Sequence, residues 1–266
     1  MKHEPIDSIT VALPAYNEEK DLPGLLDRLE KSLNELPLKW RIVVVDDGSR
    51  DRTADIVREA AKRMPVHLVQ HPQNRGLGKA IETALTNAVG FGGAVVTMDA
   101  DNSHDPKYIE EMVRRLNTED TDLVICSRFV KGSKIVGVPY YRQMLSIGCF
   151  ALMKTLAPYR GVRDYSTGFR CYRASALKKV IGAYDQLVEM NGFACMLEVL
   201  LKFRSVGLPA SEIPYTLRYD QKLGASKLRL VRTLKQYGKV IWKFAGPQPS
   251  AAAGEALVAA RRMVAQ

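Results

Sequence analysis

The stretch Val96-Thr97-Met98-Asp99-Ala100-Asp101 ends an apolar run with two carboxylates that are one residue apart. The run begins at Ala94 and is typical of a buried β-strand. In open α/β sheets, ligands bind beyond the carboxyl ends of the strands, so both acids are expected at a binding edge. Surface turns also contain paired acids, and the rest of the chain must decide between a site and a turn.

Two carboxylates at this position would suit a nucleotide that carries a divalent cation. Because side chains alternate along a strand, the chain must bend before Asp99 and Asp101 can face one ligand. Asp101 could then ligate the cation while Asp99 meets a nucleotide or a ribose. Oxygen ligands that leave room for water suit Mg²⁺ or Mn²⁺ bound to a diphosphate.

Apolar runs of strand length alternate with stretches of helical spacing through the first half of the chain. The predicted strands are 9–13, 41–45, 66–69, 94–98 and 123–126, and the predicted helices are 21–36, 53–64, 76–88 and 108–116. This alternation predicts parallel strands joined by right-handed crossovers. The second half is less regular, with predicted helices at 140–156, 193–203 and 227–244 and predicted strands at 166–172 and 208–217. The alanine-rich residues that follow predict a weakly ordered tail.

Net charge and cysteine content limit the partners and the compartment. The chain has 266 residues, 46% of them hydrophobic, which is enough for one large α/β domain. A formal net charge of +10 favours nucleic acid, anionic lipid or phosphorylated substrates as partners. The four cysteines match no zinc spacing and indicate a reduced, cytosolic protein. No apolar stretch reaches the ~18 residues of a membrane span and no signal segment precedes the first strand, so a soluble or peripheral protein is expected.

Polar clusters directly follow three of the predicted strands. They are Pro14-Ala15-Tyr16-Asn17-Glu18, Asp46-Asp47-Gly48-Ser49 and Asp99-Ala100-Asp101. The carboxyl ends of parallel strands meet at one edge of a sheet, so these clusters are expected to converge. There Tyr16 could face a base, and Glu18 and Asp47 could accept hydrogen bonds from a base or a ribose.

The order of these motifs along the chain resembles that of a known family. Together with Asn74-Arg75-Gly76-Leu77-Gly78 and Ser103-His104-Asp105-Pro106, they resemble the family 2 glycosyltransferases. Ser127-Arg128-Phe129, residues 164–170 and Gly224-Ala225-Ser226-Lys227-Leu228 resemble its dolichyl-phosphate mannosyltransferase branch. The resemblance covers about residues 8–244 and implies an α/β GT-A fold with a mostly parallel central sheet. It implies one domain at 1–244, with a donor half at about 8–128 and an acceptor half at about 129–244, before a flexible tail at 245–266.

The resemblance also implies roles for individual residues. It places Pro14, Tyr16, Glu18, Val45 and Asp47 at nucleotide-binding positions, and Asp99, Ala100 and Asp101 at donor and metal positions. Asp101, with Asp99, would hold Mg²⁺ or Mn²⁺. It implies catalytic roles for Asp101, Arg128 and Lys227, and acceptor-phosphate binding by Arg128, Arg142 and Lys222.

One position departs from the family pattern. Gln221 stands where the family often has an arginine, three residues before the glycine of its Gly-x-Ser-Lys motif. Either Lys222 or Arg218 could supply the missing charge, although a lysine lacks the bidentate fork of an arginine. The departure leaves the diphosphate geometry and the sugar identity open.

The resemblance implies a metal-dependent, inverting transfer of a sugar, with mannose from GDP-mannose expected, to a dolichyl or polyprenyl phosphate. A UDP-sugar donor, as in a polyprenyl-phosphate glucosyltransferase, and a polysaccharide acceptor are alternatives. An acceptor phosphate is already anionic and needs positioning more than a strong base, so a structural role is expected for His104. Glu198, in an apolar helix, could be structural and paired with an arginine, or could hold the sugar or Lys227.

Charge alone suggests a nucleic-acid- or lipid-binding protein without enzymatic activity as a remote alternative. The basic residues are not combined with stacking aromatics, which argues against nucleic acid as a partner. The predicted helix 227–244 is basic on one face and carries Trp242, so it lies either at a membrane interface or on the core with a solvated face. The predicted helix 140–156 either lines an isoprenoid groove or belongs to the core. We expect a peripheral protein on the cytosolic face of a membrane, reached directly or through a membrane-anchoring protein.

Overall fold

Strands and helices alternate along the chain in the computed structural model, which describes residues 4–221 and 230–264. In these ranges the strands are β1 (Ser8–Ala15), β2 (Lys39–Asp46), β3 (Val66–Gln70), β4 (Ala94–Thr97), β5 (Leu123–Ser127), β6 (Lys134–Val136), β7 (Arg170–Arg173), β8 (Ala210–Pro214) and β9 (Thr216–Arg218). The α-helices are α1 (Leu22–Asn34), α2 (Thr53–Ala60), α3 (Leu77–Ala88), α4 (Tyr108–Thr118), α5 (Tyr140–Leu156), α6 (Ala174–Gly182), α7 (Ala194–Ser205), α8 (Leu230–Phe244) and α9 (Ala251–Val264).

Seven strands form the central sheet in the order β3-β2-β1-β4-β7-β5-β8, and β6 pairs with β9 in a small second sheet. The pairs among β1 to β4 and the pair β5–β8 are parallel, as the alternation predicts. By contrast, β7 runs antiparallel to both β4 and β5. The reason is that β5 ends and β7 begins at the same edge, where Ile125 pairs with Arg170. The segment 128–169 therefore leaves the sheet and returns to it at the carboxyl edge of β5.

The central strands are buried on both faces, which explains their continuous apolar sequences. Along β1, Val11 and Leu13 belong to one core and Ala12 to the other, as expected from the two-residue period of a strand. The first core also receives the apolar faces of α1, α2 and α4. The second receives those of α3, α6 and α7. The fold is therefore a three-layer α/β arrangement with the polar strand ends left at its edge.

Most predicted elements are present, and several of the differences occur in the second half. The predicted helix 140–156 has the bounds of α5, whereas the strand predicted at 208–217 is split between β8 and β9, which belong to different sheets. Within α7, the Glu198 carboxylate pairs with Lys202 at 2.8 Å, and both side chains are buried. Glu198 also accepts hydrogen bonds from the backbone N–H groups of Glu189 and Met190. Its partner is thus a lysine one helical turn away rather than an arginine.

The expectation of a weakly ordered tail is corrected by the structure, because residues 251–264 form α9. Val258 is buried, and Gly254 lies so close to the Val206 carbonyl that a Cβ would clash with it. Alanine has the highest intrinsic helix propensity, and small residues let a helix approach its neighbours closely. Both properties favour a docked helix over a tail.

Within 4–221 and 230–264, no helix is both long enough and apolar enough to span a membrane.

Candidate functional site

The turns that follow β1 and β2 are joined by hydrogen bonds at the carboxyl edge of the sheet. The Asn17 amide donates to Ser49 Oγ and the Glu18 amide to Thr53 Oγ1, each at 2.9 Å. Asn17 has a φ of 51°, a left-handed conformation that asparagine tolerates better than most residues. The register of β1 with β2 places Pro14 opposite Val45. Five of the predicted nucleotide-binding residues are therefore brought together here: Pro14, Tyr16, Glu18, Val45 and Asp47.

Asp47 is almost fully buried and organises the neighbouring loop. Its Oδ1 lies 2.7 Å from His71 Nδ1 and accepts the Arg75 amide at 2.9 Å, while its Oδ2 accepts the Gly76 amide at 2.8 Å. The other ring nitrogen of His71 lies 3.0 Å from Thr83 Oγ1. In this geometry Asp47 holds the start of α3, and a contact between Asp47 and a nucleotide stays a prediction. Sequence reasoning missed His71, although its position directly after β3 was a signal for it.

The Asp99-Ala100-Asp101 segment turns sharply after β4. Ser103 donates to Asp101 Oδ1 through its amide at 3.2 Å and through its hydroxyl at 2.5 Å. Asn102 adopts a φ of 62°, and its Oδ1 is a buried atom without a hydrogen-bond partner among the described residues. The Asp99 side chain is 40% exposed and Asp101 only 8%. The bend required by the strand alternation is thus present, and it places one acid in the open and the other inside the turn.

His104 stabilises this turn. It accepts a hydrogen bond from the Asp99 amide on Nδ1 at 3.2 Å and stacks on Phe169 with ring centroids 4.9 Å apart. An Nδ1 atom that accepts a hydrogen bond carries no proton, so the neutral ring has its proton on Nε2, which lies 4.0 Å from Asp99 Oδ2. These contacts agree with the structural role expected for His104.

Arg128 lies at the end of β5 in a buried ion pair with Asp164. Its Nε and Nη2 donate to the two carboxylate oxygens at 2.7 Å each, and Nη2 also donates to Ser166 Oγ. Burial acts to raise the pKa of Asp164, but the charge and hydrogen bonds of Arg128 outweigh it, so the pKa is lowered. The bidentate geometry holds the guanidinium in one orientation at the rim of the site. The sequence motif contained Asp164, but sequence reasoning did not predict this pairing.

Glu212 on β8 is a further, half-buried carboxyl beside this ion pair. It accepts hydrogen bonds from the amides of Arg163 and Asp164, both at 2.7 Å. Burial raises the pKa of Glu212 to about 7, and the nearby Asp164 charge adds to the shift while the hydrogen bonds oppose it. No local pattern in the sequence marks Glu212, because β8 is an edge strand of the sheet and the loop amides that bind the carboxylate lie 49 and 48 residues away along the chain.

The Arg128–Asp164 pair and the Asp99 turn meet at Gly168. A Cβ at this position would lie 3.1 Å from Asp99 Oδ1, and the Gly168 carbonyl accepts a hydrogen bond from Thr97 Oγ1 at 2.7 Å. The antiparallel β7 thus brings the 164–168 loop against the acids of β4. Lys222 and Lys227 lie outside the described residues, as does the side chain of Arg142, so their roles stay predictions.

The oxygen atoms of this turn suit a divalent cation that also binds a diphosphate. Asp99 and Asp101 supply carboxylates, and Asn102 Oδ1, which has no hydrogen-bond partner within 4–221 and 230–264, is a further oxygen in the same turn. Within the described ranges no group of three or more His, Cys, Asp or Glu side chains could form a protein-only metal cage. Mg²⁺ commonly binds through one or two carboxylates, with phosphate and water as its remaining ligands. The residues present therefore fit such an ion.

Comparisons with known proteins agree with this arrangement. The family model described as glycosyl transferase family 2 matches residues 10–181. The chain is 32% identical over 238 residues to a dolichol-phosphate mannosyltransferase of Pyrococcus furiosus, an alignment that covers 88% of this chain and 63% of that protein. It is 29% identical over 236 residues to a dolichyl-phosphate beta-glucosyltransferase of Trichomonas vaginalis, covering 85% and 70% of the two chains. The chain thus spans less than two thirds of the Pyrococcus protein.

A solved structure shows the same fold. The glucosyl-3-phosphoglycerate synthase of Mycobacterium tuberculosis, in complex with Mn²⁺, uridine diphosphate and glucosyl-3-phosphoglycerate, superposes with a TM-score of 0.64 at 22% identity. The match covers 92% of this chain and 82% of that one. The predicted GT-A fold, an α/β fold with a mostly parallel central sheet, is thereby confirmed. With the family model matching more than half of its length, the chain belongs to glycosyl transferase family 2.

Proposed function

We propose that this protein transfers a sugar from a nucleoside diphosphate donor to a dolichyl or polyprenyl phosphate. The observation that supports the proposal is that one loop, residues 164–168, contacts Asp99 at Gly168 and binds Arg128 through Asp164 and Ser166. The names of the Pyrococcus and Trichomonas relatives support a lipid-phosphate acceptor. Mannose from GDP-mannose is our first candidate for the donor.

The donor would bind across the turns of β1, β2 and β4. Tyr16, which is half-buried, would face the base, and the backbone near Pro14 and Val45 would form the floor of the nucleotide site. Asp47 would position the loop at Arg75 and Gly76 beside the donor. Glu18 and Ala100 would complete the lining of the nucleotide site. A divalent cation held by Asp101 and Asp99 would neutralise the diphosphate as it leaves.

The acceptor phosphate would be placed by arginine side chains. Arg128 keeps its orientation through Asp164, and a phosphate oxygen could approach its remaining Nη1. An acceptor phosphate is anionic at neutral pH, so orientation of the nucleophile can replace a general base. A single displacement would invert the anomeric carbon, giving a β-linked phosphosugar from an α-linked donor. Arg142, Lys222 and Lys227 are proposed as additional phosphate ligands, with Lys227 catalytic.

A UDP-sugar is the second candidate donor. It is favoured by the name of the Trichomonas relative and by the uridine diphosphate in the Mycobacterium structure. The departure at Gln221 is consistent with a change of donor. A polysaccharide acceptor would also be compatible with a GT-A site.

Exposed apolar side chains on α5 and α8 support contact with a membrane surface, and the cytosolic face is proposed for it. Trp242 is 88% exposed and Tyr140 is 74% exposed, and further exposed apolar residues are Tyr141, Met144, Ile147, Leu152, Leu156 and Leu234. The ends of the two helices lie together, because the Gly246 amide donates to the Leu156 carbonyl at 2.8 Å. Lys235, Lys239 and Lys243 on α8 could attract anionic lipid. A membrane-anchoring protein could cover the same surface.

The test is sugar transfer to a long-chain polyprenyl phosphate from GDP-mannose and, in parallel, from UDP-glucose, with Mg²⁺ or Mn²⁺. A mild-acid-labile lipid product from GDP-mannose would establish the mannosyl donor, and a product from UDP-glucose alone would move the proposal to its second candidate. The absence of a lipid product from both donors would contradict the proposed acceptor.

A matched pair of variants tests the metal assignment. Asp101→Asn should lower transfer by at least about a hundred-fold without a change in the unfolding midpoint, because it removes a charged metal ligand. Asp105→Asn, in the same turn, is the control and should retain transfer. Equal activity of both variants would contradict the assignment of Asp101.

A further inference from the structure

Arg28 of α1 connects two distant parts of the chain at the edge of the proposed donor site. Its Nη2 donates to the His104 carbonyl at 2.7 Å, and its Nη1 donates to Gln221 Oε1 at 3.2 Å. These partners are 76 and 193 residues away along the chain. Both acceptors are neutral oxygens, so the two contacts do not neutralise the guanidinium.

The first contact restrains the turn that carries Asp101. Ser103 donates twice to Asp101 Oδ1, and its own carbonyl accepts the Arg218 amide at 3.2 Å. The adjacent His104 carbonyl is the one that Arg28 binds. Two consecutive carbonyls of the turn are thus held from outside, one by a main-chain group and one by Arg28. Loss of the Arg28 contact would remove one of these two restraints on the turn.

The second contact lies immediately before residues 222–229, which contain Lys222 and Lys227. Gln221 is the position where an arginine was expected, and Arg218 could have supplied the missing charge. The Arg218 guanidinium is instead paired with Asp220, with its Nη2 2.8 Å from Asp220 Oδ2. Arg28, which sequence reasoning did not consider, contacts Gln221 directly.

We infer that Arg28 is a positioning residue for the diphosphate and cation of the donor, because it couples the Asp101 turn to Gln221. The inference rests on the proposed function in that the ligand is taken to be a nucleoside diphosphate sugar with a divalent cation. Arg28 acts through the turn and through Gln221, and it touches neither the sugar nor the acceptor. Its loss weakens donor binding and leaves the chemical step nearly unchanged.

Steady-state kinetics of Arg28→Gln test this inference, with the donor and the acceptor that the wild-type protein uses as substrates. We expect the KM for the donor to rise about ten-fold, the size of one hydrogen bond to a charged group, with kcat within about three-fold. Lys31→Gln is the matched control, because Lys31 lies one turn further along α1 and lines the same surface groove. It should leave both constants unchanged. Arg28→Lys should fall between wild type and Arg28→Gln, since an ammonium can reach only one of the two acceptors at a time.

A charge exchange distinguishes coupling from a simple loss of stability. The double variant Arg28→Gln/Gln221→Arg places the guanidinium on the other side of the same contact, and we expect it to recover most of the donor KM. A fall in kcat as large as the rise in the donor KM, together with a lowered unfolding midpoint, would show a merely structural role for Arg28. A donor KM that is unchanged in Arg28→Gln would also overturn the inference.

Amide hydrogen exchange of the protein without ligands provides a readout that does not depend on activity. Arg28→Gln should speed the exchange of the amides of Ser103 and Lys107, and Lys31→Gln should not. If the wild-type protein transfers no sugar from either donor, the proposed function fails while this exchange result still tests the coupling. Unchanged exchange in Arg28→Gln would overturn the coupling even if transfer is observed.

Discussion

Replacement of Glu212 by glutamine should change how stability depends on pH. The pKa of Glu212 is raised from 4.5 to about 7 in the folded chain, chiefly by burial. The unfolded chain releases this proton near its ordinary pKa, so ionisation favours unfolding as pH rises from about 4.5 to 7. The stability that the folded chain gains by holding Glu212 protonated is therefore fully present below pH 4.5 and is lost by pH 7. Glutamine cannot ionise, and its carbonyl can still accept the two backbone hydrogen bonds.

The magnitude follows from the two pKa values. One pKa unit corresponds to about 1.4 kcal/mol, so the full shift costs about 3 kcal/mol above pH 7. Part of this cost is already present at pH 5. Between pH 5 and pH 8, we therefore expect the free energy of unfolding of Glu212→Gln to rise by about 2 kcal/mol relative to that of the wild type. The free energy of unfolding would be measured by urea denaturation at both pH values. The difference between the two proteins cancels the contribution of the histidines, which titrate in both.

An exposed carboxyl provides the control for this experiment. Glu110 lies on the solvent side of α4, and Glu110→Gln should shift the free energy of unfolding by the same small amount at pH 5 and pH 8. Parallel pH profiles for wild type and Glu212→Gln would refute the reasoning, because they would show that Glu212 is ionised in the folded chain across this range.

Three further variants test other parts of the structure. Asp164→Asn should destabilise the chain by about 3 kcal/mol, because it leaves Arg128 buried without its counter-charge, and chemical denaturation would measure the loss. Gly254→Leu should increase proteolysis of the C-terminal helix by clashing with the neighbouring turn, whereas Ala252→Leu on an exposed position should not. His71→Gln should cost about 1 kcal/mol by weakening one hydrogen bond to a buried carboxylate, and an unchanged urea midpoint would contradict that role.

Periodicity predicted the elements of the donor half because their signal is local. The strands β1, β2 and β4 are buried on both faces, so each reads as a continuous apolar run, and the apolar faces of α1 and α4 repeat with helical spacing. The second half contains a strand whose partner is decided elsewhere. Nothing within residues 170–173 indicates that β7 pairs antiparallel with both β4 and β5. The direction of a strand depends on the edge at which the preceding segment brings the chain back to the sheet.

The candidate site also contains residues that the sequence predicts and partners that it does not. The acids of β4 and the polar turns after β1 and β2 were visible in the sequence, since strand ends of one sheet meet at one edge. Their partners were not visible, because they lie far away along the chain. Arg128 meets Asp164 across 36 residues, and Asp47 meets His71 across 24. Such pairs follow from the packing of elements and leave no periodic pattern.

The sequence by itself determined the fold class, the family and the edge of the sheet at which the acids lie. These properties come from local hydrophobic patterning and from short motifs in a given order, which need no knowledge of distant contacts. Only the tertiary structure decided that Glu198 pairs with Lys202, that Glu212 is half-buried beside an ion pair, and that α9 docks on the chain. The reason is physical: the charge state and the partner of a side chain depend on burial and on neighbours that only the folded chain brings within a few ångströms.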